Sequence, residues 1–191
     1  MNLIDSVQIA FELAEFIKEL HNINTVDGPI AGEHNFYRGG SLRIYDSEVK
    51  RSIKKLKELI PADEVIAVWE KALESEWQNK PVWIHGDFVA TNILVNYGKV
   101  AAVIDFGSMG VGDPACDLVI AWNYFSARSR RAFKESLEFD SNTWARARGW
   151  ALWKYLIMLV ELQDIKSSTV HTKLNEIDDI MREHQQIYRY P

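Results

Sequence analysis

With Cys116 as its only cysteine, the chain has no internal disulfide. The apolar neighbours of that thiol (Ala115, Leu118, Val119) mark it as a buried structural group, and the expected setting is reducing and cytoplasmic. The first residues carry no positive n-region and no apolar run, so a cleaved signal peptide is not expected. The most apolar later stretch, Trp150 to Leu162, holds Lys154 and Glu161, which makes it too short and too charged to span a bilayer. No basic stripe is present, and the formal charge is −5, so neither membrane nor nucleic acid is an expected partner. Repeats, low-complexity tracts and linkers are also missing. What remains is a packed chain of 191 residues with seven Trp, seven Tyr and eight Phe.

Apolar spacing predicts helices over most of this length. Asp5 and Ser6 stand as caps for a helix to about Leu20, with Ala10, Leu13, Ala14, Ile17 and Leu20 inward. Residues 22–46 form a long connector, which in a compact domain is often functional. A basic helix follows over about Ser47–Leu59, its lysines reading as a solvated face, and another over about Pro61–Trp77. Three short strands come next: Val82–His85, Asn92–Val95 and Val100–Ile104, the last an apolar run expected to be buried. Asn96-Tyr97-Gly98-Lys99 is the turn between the last two. Asp113-Pro114 starts a helix to about Phe125, and three more helices are expected near 129–137, 141–165 and 168–186. The order predicts an α+β fold dominated by helix, with a small β-hairpin sheet.

The chemistry concentrates in His85-Gly86-Asp87-Phe88-Val89-Ala90-Thr91-Asn92 and in Val103-Ile104-Asp105-Phe106-Gly107. An Asp opens a loop, an Asn closes it five residues later, and a second Asp ends a strand thirteen residues beyond that Asn. Phosphoryl transfer needs these groups: a carboxylate beside the attacking hydroxyl, and hard oxygen ligands holding Mg²⁺ on the phosphates. Asp87 is the candidate base, and Asn92 and Asp105 are the candidate metal ligands. His85 is expected to support the loop through its ring. Leu94 is placed as an apolar floor under a nucleotide base, with Ile104 on the same side. Gly107 is expected to let the chain turn after Asp105. Asp117, in the first turn of a helix, is expected to accept backbone N–H groups of the loop.

Taken together, His-Gly-Asp-x-x-x-x-Asn-Ile-Leu-Val, Val-Ile-Asp-Phe-Gly and Gly-x-Gly-Asp-Pro-x-x-Asp-Leu resemble the aminoglycoside phosphotransferase family. The resemblance implies a protein-kinase-like fold and transfer of the γ-phosphate of ATP or GTP to a hydroxyl of a small molecule. Carried over residue by residue, it makes Asp87 the base and Asn92 and Asp105 the Mg²⁺ ligands. Protein kinases have an Arg where this chain has Gly86, which argues against control by a phosphorylated activation loop. The family's first lobe brings a glycine-rich loop and a lysine paired with a helix glutamate. Residues 1–86 show neither, since Gly39-Gly40 lacks the required spacing. The expectation is a single C-terminal lobe over 1–191, with the site in 82–117, substrate-side helices in 126–191, and no activity alone. The uncovered face is expected to favour self-association. Two alternatives stand beside this: a non-catalytic lobe binding a small ligand or protein, and a choline, homoserine or sugar kinase of the same fold.

Overall fold

The computed structural model describes residues 6–162 and 167–188, so the expected cap Asp5 lies outside the described residues. The chain forms two compact units. The first comprises the segment up to Gly40 together with Trp77–Trp144; the second comprises Ser41–Glu76 and everything from Ala145 on.

In the first unit, helix α1 (Ser6–Asn22) buries Ile9, Ala10, Leu13, Ala14 and Ile17. That stripe packs along α5 (Ala127–Leu137), where Phe133 is fully buried. Each such aliphatic side chain withdrawn from water contributes about 1.5–3 kcal/mol, which makes α1 a principal support of the unit. Among the described residues four strands form two separate antiparallel pairs. Strands β2 (Ile93–Asn96) and β3 (Lys99–Val103) make the expected hairpin, closed by Tyr97-Gly98 with φ of 48° and 79°. Positive φ at both central residues is the tight hairpin turn that follows strand twist. Tyr97 stands 98% exposed at its tip.

Strand β1 (Val82–Ile84) is not part of the hairpin and pairs with a fourth strand, β4 (Gly110–Gly112). Two expectations need correction here. The apolar strand before Asp105 is not buried, for Val103 is half-buried and Ile104 is 40% exposed. A register shift between Leu94 and Val95 interrupts the regular pairing of the two strands. The segment opened by Asp113 and Pro114 is not an α-helix throughout. It is a tight 3-10 helix over Pro114–Val119 before the short α4 (Ile120–Asn123). Asp113 still caps it, accepting from the Ala115 N–H at 3.0 Å.

The connector expected over 22–46 is built onto β4. Val111 N–H donates to the Pro29 carbonyl and Asp113 N–H to the Gly39 carbonyl, each at 2.8 Å, and Ile30 bridges Val111 in parallel. Asn35, fully buried, accepts from Gly32 N–H at 3.0 Å and donates to Arg38 O at 3.2 Å. Glycine is required at 110 and 112 because this backbone presses on the strand. A Cβ at Gly110 would sit 2.7 Å from Asn35 Nδ2, and one at Gly112 would strike the Gly39 carbonyl.

The second unit is helical: α2 (Asp46–Leu56), α3 (Ala62–Leu73), α7 (Ser168–Tyr188), and α6 (Ser141–Glu161) from Ala145 on. Trp69, Trp150 and Trp153 are buried, as expected of core residues. Their polar edges are used too: Trp69 Nε1 donates to Asp46 and Trp153 Nε1 to Glu48, each at 2.9 Å. Buried Arg148 pairs with Glu183 at 3.0 Å. Among the described residues no helix is long and apolar enough to cross a membrane.

Candidate active site

The loop after β1 is held from beneath by one carboxylate. Asp117 is completely buried and accepts the N–H of His85 at 2.6 Å and of Gly86 at 2.8 Å. Burial raises its carboxyl to about 6, and the two N–H groups pull the other way. Next door, burial and the two nearby carboxylates hold the Cys116 thiol well above its ordinary pKa, so it stays a neutral core group. Asn123, at the end of α4, accepts from Ala90 N–H at 3.3 Å. One helical segment therefore touches the loop near both ends.

Gly86 has φ of +80°, and a Cβ there would run into the Ser108 carbonyl oxygen. The backbone of the loop and that of the turn after β3 approach so closely that only glycine fits.

His85 ties the two together chemically. Its ring is buried, Nδ1 accepts the Asp87 N–H at 3.2 Å, and Nε2 lies 2.9 Å from the Ile104 carbonyl. A backbone N–H only donates and a carbonyl only accepts, so the tautomer is settled: the proton is on Nε2. Asn92 repeats the tie. Its Nδ2 donates to the Asp87 carbonyl at 2.9 Å and to Asp87 Oδ2 at 3.3 Å, while its backbone carbonyl accepts from Ile104 N–H at 3.0 Å. The orientation of the amide follows, since both groups facing the NH₂ are acceptors.

Asp105 follows Ile104 directly and is exposed. It takes the left-handed conformation, φ 64° and ψ 65°, and leads into a 3-10 turn over Phe106–Ser108 that contains Gly107. A Cβ at Gly107 would stand 3.3 Å from Asp105 Oδ1. Leu94, 48% exposed, and Ile104 lie on the hairpin's open side. Glu12 of α1 braces that hairpin by accepting the Val100 N–H at 2.7 Å, and its hydrogen bonds to Gln8 and then Val100 hold its pKa low. Among the described residues no cluster of three His, Cys, Asp or Glu side chains forms a metal site.

Sequence reasoning missed Phe16, whose ring stacks on Phe88 with centroids 5.6 Å apart and planes 2° from parallel. A half-buried Phe beside a regular apolar stripe carries no local signal.

The model of the phosphotransferase enzyme family (APH) matches residues 4–150. The chain belongs to that family. An aminoglycoside 3'-phosphotransferase of Escherichia coli is 28% identical over 124 residues, covering 64% of this chain and 43% of that relative. Two solved structures show the same fold at low identity. A thermostable mutant of the aminoglycoside phosphotransferase APH(4)-Ia, in ternary complex with AMP-PNP and hygromycin B, has a TM-score of 0.60 at 19% identity. It covers 94% of this chain and 66% of that one. A GDP and kanamycin complex of an APH(2") enzyme has a TM-score of 0.59 at 16% identity, covering 98% and 65%. The chain thus spans less than half of the E. coli relative and about two thirds of its structural neighbours. Like theirs, its fold is protein-kinase-like: mostly helical, with small antiparallel sheet.

Proposed function

We propose that this phosphotransferase chain is the catalytic, C-terminal lobe of an enzyme that moves the γ-phosphate of ATP or GTP to a hydroxyl of an aminoglycoside-like molecule. The observation that carries the reading is the tie between Asp87 and the end of β3. His85 and Asn92 each bond both, so a base and a metal ligand are set by one network.

In the reaction, the acceptor oxygen forms a bond to the γ-phosphorus, the bond to the β,γ-bridging oxygen breaks, and the nucleoside diphosphate leaves. Asp87 orients the acceptor hydroxyl and takes its proton. Asn92 and Asp105 fit a hard cation: with its NH₂ turned to Asp87, Asn92 offers Oδ1, and Asp105 offers an exposed carboxylate. Two protein oxygens suffice for Mg²⁺, which keeps its remaining positions for water and phosphate. Bound there, Mg²⁺ neutralises charge on the donor phosphates. Leu94 and Ile104 supply an apolar surface for the base. Among the described residues no strand precedes Val82, which supports the view that residues 1–86 carry no phosphate-gripping sheet. The exposed hairpin side is accordingly the face proposed for self-association. The structural neighbours, complexes with AMP-PNP and hygromycin B and with GDP and kanamycin, support both donors and the acceptor class.

The test is a phosphotransfer screen of labelled ATP and GTP against aminoglycosides and other polyols. The chain is used alone and complemented with the strand-rich lobe of a solved neighbour. Turnover only in the complemented form, lost in Asp87→Asn, is expected. Equal turnover in the parent and Asp87→Asn removes Asp87 as base; no turnover with any acceptor overturns the reading.

A further inference from the structure

Phe16 lies on α1, outside every motif in the chain, yet its ring completes a closed circuit around the loop and the turn. It lies parallel to Phe88 in an offset stack at 5.6 Å and leans on Phe106 at 6.5 Å with planes at 56°. Both of those rings meet His85: Phe88 edge-on at 5.7 Å and Phe106 at 4.5 Å. Phe88 follows Asp87 in the chain and Phe106 follows Asp105. Each of the two carboxylates therefore has, as its next residue, a ring that rests on Phe16.

The circuit has a polar side and an apolar side. On the polar side His85 bonds Asp87 N–H and the Ile104 carbonyl. On the apolar side Phe16 is the one member contributed by neither loop nor turn. Asp105 adopts the left-handed conformation immediately before Phe106. A non-glycine residue holds that state when its surroundings over-determine it. The Phe106 ring, in contact with both Phe16 and His85, is one such constraint beside it.

We propose that Phe16 is a positioning residue, fixing the loop that carries Asp87 against the turn that carries Asp105. Its consequence for catalysis rests on the roles proposed above for those two carboxylates. A flat ring is needed: Leu matches its apolarity but offers Phe88 no parallel face.

The test compares Phe16→Leu, Phe16→Tyr and Leu13→Ala. The last is a control on the same helix that opens a cavity in fully buried core. Amide hydrogen exchange is read on the 191-residue chain at Asp87, Asn92 and Ile104, each with a hydrogen-bonded N–H, against the amides of α5. Phe16→Leu should speed exchange at the site amides roughly tenfold more than in α5, a local opening rather than a global one. Phe16→Tyr should restore the parent pattern, and Leu13→Ala should shift site and helix amides together. In the complemented enzyme, Phe16→Leu should lower kcat by about a hundredfold while the acceptor KM stays within about twofold. Equal acceleration at the site and in α5, or no rescue by Tyr, overturns the proposal. So does selective opening with unchanged kcat. Absence of turnover in the complemented parent defeats the phosphotransferase reading instead, and exchange still decides the coupling by Phe16.

Discussion

The ring of His85 joins Asp87 to Ile104: one nitrogen accepts the Asp87 N–H at 3.2 Å and the other donates to the Ile104 carbonyl at 2.9 Å. A fully buried imidazole thus bonds the backbone of the proposed base on one side and of the residue before the proposed metal ligand on the other. His85→Ala is expected to cost about 3 kcal/mol, since it removes both bonds and leaves a cavity. Urea denaturation checks this, and a parent-like midpoint would show that the ring is dispensable.

The two carboxylates should separate by phenotype in the complemented enzyme. Asp87→Asn keeps shape and folding but lowers kcat by about a thousandfold, because the amide accepts no proton. Asp105→Ala should chiefly weaken metal–nucleotide binding, seen as a raised KM for nucleotide that excess Mg²⁺ partly offsets. Identical kinetic signatures in the two variants would contradict the division of labour.

At position 117 an amide cannot replace the acid. Asn has one acceptor oxygen for two N–H donors, and its NH₂ would face the second. Asp117→Asn should therefore destabilise by about 1–3 kcal/mol and speed amide exchange at His85 and Gly86. Unchanged exchange at both would mean that the loop is held by other contacts.

Stability against pH should carry two opposed contributions. Burial lowers His21 from 6.5 to about 4, so between those values the unfolded chain binds more protons than the native one. That contribution is present above pH 6.5 and is lost as pH falls toward 4. Asp117 is raised from 3.8 to about 6, so in that window the native chain binds more protons, and its contribution is lost as pH rises. His21→Gln removes the first and leaves the second. Relative to the parent, the variant should gain stability as pH falls from about 6 to 4, by at most about 3 kcal/mol. Parallel urea midpoints across that range would disprove the assignment.

The 191-residue chain alone is expected to bind MgATP and MgGTP weakly or not at all. On the reading proposed above it offers two metal ligands and an apolar floor at Leu94, and the clamp on the triphosphate is expected to come from elsewhere. Calorimetric titration decides the point, and tight binding of either nucleotide would show that residues 1–86 contain a grip.

What could be read from residues alone was the part dictated by local rules. The hairpin turn was legible because Tyr97-Gly98 meets the φ demands of a two-residue loop. Asp113-Pro114 was legible as a helix start for a similar reason. The elements that escaped depend on chain segments far apart in sequence. Gly110-Val111-Gly112 looks like a loop, since glycine weakens strands. It is a strand because Pro29, Asn35 and Gly39 lie too close for any Cβ. The positive φ of Asp105, just before the turn that contains Gly107, escaped as well. Phe16 was invisible because its partners, Phe88 and Phe106, sit in other elements entirely. The strand ending at Val103 misled by composition, for an apolar run announces burial without saying which surface covers it.

The hairpin tip offers an experimental handle. Tyr97 is almost wholly in solvent, while the same two strands carry Asn92 and Asp105 at their opposite end. A dye or spin label on a cysteine placed at 97 would ride on a short, hydrogen-bonded lever whose far end carries the proposed site. With the native thiol, Cys116, buried and protonated, such a label would attach at one place. The chain thus comes with a place for a reporter on the same hairpin as that site and clear of it.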